Sequence, residues 1–153
     1  MQIRVKKLLI LAILLFSLTL TSCSVKPPAP HTVLTELVGD NLGAGTVYST
    51  HVAEGGAGYI TPELCKALFT ENIAVPKEMA LYLRPGLDGG CEVFVLSTAG
   101  AEREELVALL LDRLSLLKGY YGGTGAVFFT RGLVIWCYST DFNEFKRIKD
   151  VIE

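Results

Sequence analysis

The chain is poor in the residues that carry most enzyme chemistry. Two histidines and one tryptophan are present in 153 residues, and none of the four cysteines lies close enough to another to form the paired spacing of a zinc site. His31 and His51 both fall in the front part of the chain, which shows little periodicity. No serine or cysteine stands in a nucleophile elbow. Glu54-Gly55-Gly56-Ala57-Gly58 lacks the lysine and hydroxyl of a phosphate-cradling loop, so its glycines are read as loop. An excess of positive charge is also missing: the formal net charge is −2, which excludes the basic face that nucleic acid requires. After residue 22 no apolar run is long enough to span a bilayer. The composition implies no cofactor or metal.

What the sequence does have begins at its N-terminus. Arg4, Lys6 and Lys7 precede an apolar stretch, Leu8 to Leu20, interrupted only by Ser17 and Thr19. This is the layout of a signal peptide. It ends in Leu20-Thr21-Ser22-Cys23, which resembles a bacterial lipobox. That resemblance implies cleavage between Ser22 and Cys23, a thioether-linked diacylglycerol on Cys23, and usually an acylated amino terminus. A plain membrane anchor is the competing reading, but the apolar run is shorter than the roughly 20 residues of a spanning helix. Cleavage would also remove three positive charges, taking the net charge from −2 to −5. The mean hydropathy of +0.42 owes much to this one segment.

The expected organisation is therefore a signal peptide over 1–22, a lipidated proline-rich tether over 23–32, and one domain over 33–153. Lys26-Pro27-Pro28-Ala29-Pro30 reads as a short stiff stalk, with His31 as exposed filler at its edge. Val33, Leu34, Leu37 and Val38 have helical spacing. Thr46 to Thr50 is a weak strand. Thr61-Pro62-Glu63 opens a helix to about Phe69, because threonine can cap, proline is tolerated at the first turn, and the acid complements the dipole; Leu64, Ala67 and Leu68 form its buried side.

From Met79 the pattern sharpens. Ala80 to Arg84 and Cys91 to Ser97 read as strands of a hairpin. Glu102 to Lys118 reads as the principal helix, closed by Gly119, with Leu106, Leu110, Leu114 and Leu117 as its stripe, widened by Val107, Leu109 and Leu111. Glu102, Glu104 and Glu105 beside Arg103 match the helix dipole rather than mark an acidic site, and Arg113 reads as solvated. Gly125 to Thr130 and Leu133 to Ser139 form a second hairpin turning at Arg131-Gly132. Asp141-Phe142-Asn143-Glu144 has capping-box spacing for a last helix with Phe145, Ile148 and Ile152 inward.

The fold class is thus α+β: a four-stranded antiparallel sheet in the order strand, strand, helix, strand, strand, helix, with helices mainly on one face and an N-terminal helical segment. Two strands are apolar at nearly every position, the mark of a sheet covered on both sides. Internal packing of Val33 to Phe69 is the preferred cover. The functional alternative is a partner or apolar ligand resting on a binding face of Tyr82, Phe94, Phe128 and Trp136. Three cysteines besides Cys23 allow one disulfide, for which Cys91 and Cys137 are the preferred pair; the competing and better supported reading packs all three as small buried hydrophobes.

Leu34-Thr35-Glu36-Leu37, Glu78-Met79-Ala80-Leu81-Tyr82, the leucine-rich helix with Arg113, and Gly132-Leu133-Val134-Ile135 together resemble a family of small lipoproteins from Gram-positive, clostridia-like bacteria, a domain of unknown function. The resemblance implies a lipoprotein with an extracytoplasmic α+β domain and brings no catalytic residues. The expected function is a non-enzymatic interaction or ligand-binding module of the cell envelope, held to the membrane by its lipid, with an envelope protein or small ligand as partner. An envelope hydrolase or thiol-active enzyme is the alternative.

Overall fold

The computed structural model describes residues 27–39, 42–69, 76–87, 89–99 and 102–153. The expected signal peptide, the expected cleavage point at Ser22 and the expected lipidation of Cys23 lie outside the described residues. Among the described residues nine elements follow in chain order: α1 (Pro30–Val38), β1 (Thr46–Ser49), α2 (Pro62–Leu68), β2 (Met79–Arg84), β3 (Cys91–Ser97), α3 (Arg103–Tyr121), β4 (Thr124–Thr130), β5 (Leu133–Ser139) and α4 (Phe142–Ile152).

The strands make one antiparallel sheet in the order β1-β2-β3-β5-β4. The expected four strands are joined by a fifth, β1, where the weak Thr46 signal lay. Its small pairing unit is Thr46 to Ser49 against Ala80 to Leu83. The β4–β5 turn forms at Arg131 and Gly132, both at positive φ (44° and 77°), as a two-residue hairpin of matching twist demands.

Helices cover both faces, and the difference from expectation is that α3 and α4, expected mainly on one face, lie on opposite ones. Strand alternation sends Ala80, Tyr82, Val93, Val95, Ile135 and Cys137 toward α1 and α4. The intervening residues Leu81, Phe94, Leu96, Val134, Trp136 and Tyr138 pack under α2 and α3. Period-two geometry makes this division unavoidable once both sides of a strand are apolar. The segment from Val33 to Phe69 does supply cover, but α1 and α2 go to opposite faces.

Local signals explain the element ends. Pro30 occupies the first turn of α1, so the third proline of the presumed stalk starts the helix, since its missing N–H would have been unpaired there anyway. The domain accordingly begins earlier than Val33. Thr61 caps α2 by accepting from the Leu64 amide at 3.1 Å, and Leu68 is buried while Ala67 is exposed. Helix α3 continues through Gly119 to Tyr121 and ends at Gly122, φ 70°. A glycine costs a helix only about 1 kcal/mol, and Gly122 supplies the left-handed conformation that stops it. Tyr138 Oη donates to the Gly122 carbonyl at 3.0 Å, tying the helix end to the sheet. In the α3 stripe Leu106, Leu109 and Leu110 are buried, whereas Leu111 is 50% exposed. No helix among the described residues is long and apolar enough to cross a membrane.

Candidate functional site

A cleft of about 420 Å³ opens where α1 begins, lined by Pro27, Ala29 and Pro30 on one side and by Ser49 to His51 and Lys77 to Met79 on the other. Its defining feature is a pair of imidazoles. The rings of His31 and His51 stack with centroids 4.3 Å apart and planes 12° from parallel. His31 is therefore a half-buried residue of α1 with a specific neighbour, which corrects its reading as exposed filler on a tether.

The walls of the cleft are set by backbone pairing. Thr50 Oγ1 accepts from the Met79 amide at 3.0 Å and donates to the Met79 carbonyl at 3.2 Å. Ser49 Oγ accepts from the His51 amide at 3.0 Å. Both hydroxyls are thus engaged in holding the turn after β1. The ionisable residues of the lining are His31, His51, Lys77 and Glu78. Such a set can grip an acid group and offer an acceptor beside it. Among the described residues no three His, Cys, Asp or Glu side chains gather into a metal-holding group.

Among the described residues two largely buried ion pairs lie elsewhere. Arg84 Nη2 donates to both oxygens of Glu144 at 2.8 and 2.7 Å, and Ser139 Oγ donates to Oε2 at 2.6 Å. Arg84 Nε also donates to the Gly89 carbonyl. Glu144 is 4% exposed, so this network pins the first turn of α4 to the sheet. The capping box is only half formed: Asp141 accepts from the Asn143 amide at 2.8 Å, but Glu144 turns inward instead of back to Asp141. The Asp141 amide donates to Ser139 Oγ at 3.0 Å.

On the other face Arg113 donates to both oxygens of Glu92 at 2.7 and 2.6 Å and lies 5.7 Å from the Phe94 ring centroid. Arg113 is therefore paired, not simply solvated. Glu92 interrupts an otherwise apolar strand, and that anomaly was the available sequence signal for a partner on the helix above.

The residues singled out as a binding face do not form one. Tyr82 points to the α1/α4 side, where Phe128 also packs, and Phe94 and Trp136 point to the α2/α3 side. Tyr82, Phe94 and Trp136 are buried, and Tyr82 Oη donates to the Gly43 carbonyl at 2.8 Å. Sheet alternation separates them, and helices occupy both surfaces.

Cys65, Cys91 and Cys137 are free. Val93 pairs with Cys137 and Cys91 with Ser139, so the two strand cysteines are diagonal neighbours. Such positions have Cα atoms about 7–8 Å apart, beyond the span a disulfide closes. The expected bridge is corrected to two buried thiols. Burial, followed by the nearby Glu144 charge, pushes Cys91 well above the ordinary thiol range and Cys137 up to about 12. Burial also raises Tyr82 and Tyr138. Groups whose folded pKa is raised stabilise the fold fully below the unfolded value and lose that contribution as pH climbs. Thermal melts should therefore be flat through neutral pH and fall between about pH 9 and 12, the interval from an ordinary thiol to Cys137. In the same protein at pH 8, Cys91 and Cys137 should resist alkylation until denaturant is added, when the thiols of Cys65, Cys91 and Cys137 should all react. A flat alkaline melt, or a missing pair of thiols, would contradict this assignment.

Comparison with family models, curated proteins and solved structures finds no match to the chain.

Proposed function

We propose that the chain is a lipid-anchored, extracytoplasmic binding module whose ligand meets the His31–His51 cleft. The observation that carries this reading is where the cleft sits: Pro27, Ala29 and Pro30 line it, and Pro27 is four residues from Cys23. Four residues reach at most about 14 Å, so a lipidated Cys23 would hold the cleft close to the membrane surface. The signal-peptide layout, the Leu20-Thr21-Ser22-Cys23 sequence and the resemblance to small clostridial lipoproteins support the same location. The volume of the cleft is in the range of small-molecule sites. Its ionisable residues favour a small polar ligand bearing a carboxylate or phosphate for Lys77 and the imidazoles, and a donor for Glu78.

A hydrolase or thiol-active enzyme has weaker support. The Ser49 and Thr50 hydroxyls serve the backbone, and the thiols of Cys91 and Cys137 are buried and strongly biased to the neutral form, which is the unreactive one.

Two measurements on the full chain test the proposal. Cys23→Ser should abolish incorporation of labelled fatty acid and leave the protein unprocessed or released; undiminished labelling would remove the anchor. A thermal-shift survey of small carboxylates and phosphates should find a stabilising compound whose apparent affinity drops about tenfold or more in His51→Ala and Lys77→Ala. A compound whose binding ignores both substitutions would place the site elsewhere.

A further inference from the structure

Sheets usually protect their outer strands with charge, proline, a bulge or shortness. β1 is only four residues long. β4, at the opposite edge, has none of these devices: Thr124-Gly125-Ala126-Val127-Phe128-Phe129-Thr130 is uncharged, free of proline, and in unbroken register with β5 over all seven residues. Among the described residues no strand pairs with its outer edge. Phe129 is 45% exposed.

The sequence of this strand is complementary to its own reverse. Antiparallel pairing of two copies about Val127 sets Thr124 against Thr130, Gly125 against Phe129, and Ala126 against Phe128. On each face a small residue, Gly125 or Ala126, stands opposite a large one, so no two aromatic side chains oppose each other across the axis. No like charges oppose each other, because there are none.

The helix above the edge fits the same axis. Arg103 at the start of α3 lies 3.9 Å from the Phe129 ring centroid, and Leu114 lies over Gly125. The α2 side of α3 carries Glu105, Leu109, Asp112 and Leu116. Helical periodicity then turns the opposite flank, Glu104, Val107, Leu111 and Lys118, toward the β4 edge. Glu104, Leu111 and Lys118 are all exposed and spaced by seven. In a two-fold pair the α3 helices run antiparallel, so Leu111 meets its own copy while Glu104 faces Lys118 of the second chain. Strands are about 4.8 Å apart, and α3 lies over β4 and β5. The two helix axes would therefore be about 10 Å apart, a normal packing distance.

We infer that β4 and the outer flank of α3 form an isologous interface with a second copy of this chain, joining two five-stranded sheets into one of ten strands. A second copy is favoured over an extended peptide from another protein because both the strand and the helix flank are self-complementary about one axis.

Sedimentation of the full-length protein in density-matched detergent tests this. The wild type should be a concentration-dependent dimer. Leu111→Glu, which places two carboxylates at the axis, and Lys118→Glu, which opposes two acids, should each weaken it about tenfold or more. The doubly reversed Glu104→Lys/Lys118→Glu should recover the dimer. These side chains are exposed, so circular dichroism should show the fold unchanged in each variant. A wild type that is monomeric at every concentration, including one whose edge captures an extended peptide instead, overturns the inference. A dimer indifferent to Leu111→Glu and to both charge changes overturns it as well.

Discussion

Glu144→Ala is expected to lower the unfolding free energy by about 3–5 kcal/mol, the usual cost of breaking a buried ion pair from one side. The carboxylate takes two hydrogen bonds from Arg84 and one from Ser139 at 2.6–2.8 Å. Removing it leaves a guanidinium, about four-fifths buried, without its counter-charge. The hydroxyl that steadies the start of α4 through the Asp141 amide loses its acceptor as well. The pair as a whole contributes less than this figure suggests, because desolvation of both charges offsets most of their attraction. An apolar replacement of both partners, Arg84→Met/Glu144→Leu, should therefore recover most of the loss. Urea unfolding followed by circular dichroism would measure both changes. A single variant within about 1 kcal/mol of the wild type would show that the pair does not anchor α4.

Trp136→Ala is the second large effect, expected at about 3–5 kcal/mol for an aromatic removed from a packed core. Trp136 is fully buried in the middle of β5. Its ring centroid lies 6.3 Å from that of Phe94 and 6.5 Å from that of Tyr138. The space cannot be refilled by collapse, since the strand beneath is held on both sides by β3 and β4. Against a total stability of about 5–15 kcal/mol for a domain, the loss is enough to threaten folding at growth temperature. Trp136→Phe should cost clearly less. It keeps most of the apolar contact, and it removes an indole N–H that finds no hydrogen-bond acceptor among the described residues. If phenylalanine and alanine were equally damaging, the role of the ring would not be packing.

These two residues illustrate what was legible beforehand. The strands around Trp136 could be read because an apolar run bounded by turn residues has few alternative structures, and the same run announced that both sheet faces were covered. Which helix covers which face could not be read: α1 and α2 have similar short apolar patterns, and only strand order separates them. The start of α4 was visible in Asp141 and the two residues after it, yet Glu144 points inward because Arg84, 60 positions away in sequence, outcompetes the local amide for it. The His31–His51 stack was hidden for a related reason. The rings are brought together by the pairing of β1 at the sheet edge and by a helix that starts at Pro30, and proline-rich composition argued for a stalk at that point. The lone acid Glu92 in an apolar strand is itself the sequence signal of a buried cation, but its partner Arg113 lies 21 positions away on a helix whose pattern reads equally well as solvated. Fold class and hairpins were thus written in local pattern, while the cleft depends on contacts between distant segments.

The position of β5 has a consequence for how the molecule is made. It is the last strand in the chain, yet it sits between β3 and β4, which precede it. Until β5 is available, β3 and β4 have no common neighbour and the two halves of the sheet have nothing to join them. A growing chain can therefore pair β1, β2 and β3 early, but it cannot join β4 to them until Leu133–Ser139 has been made.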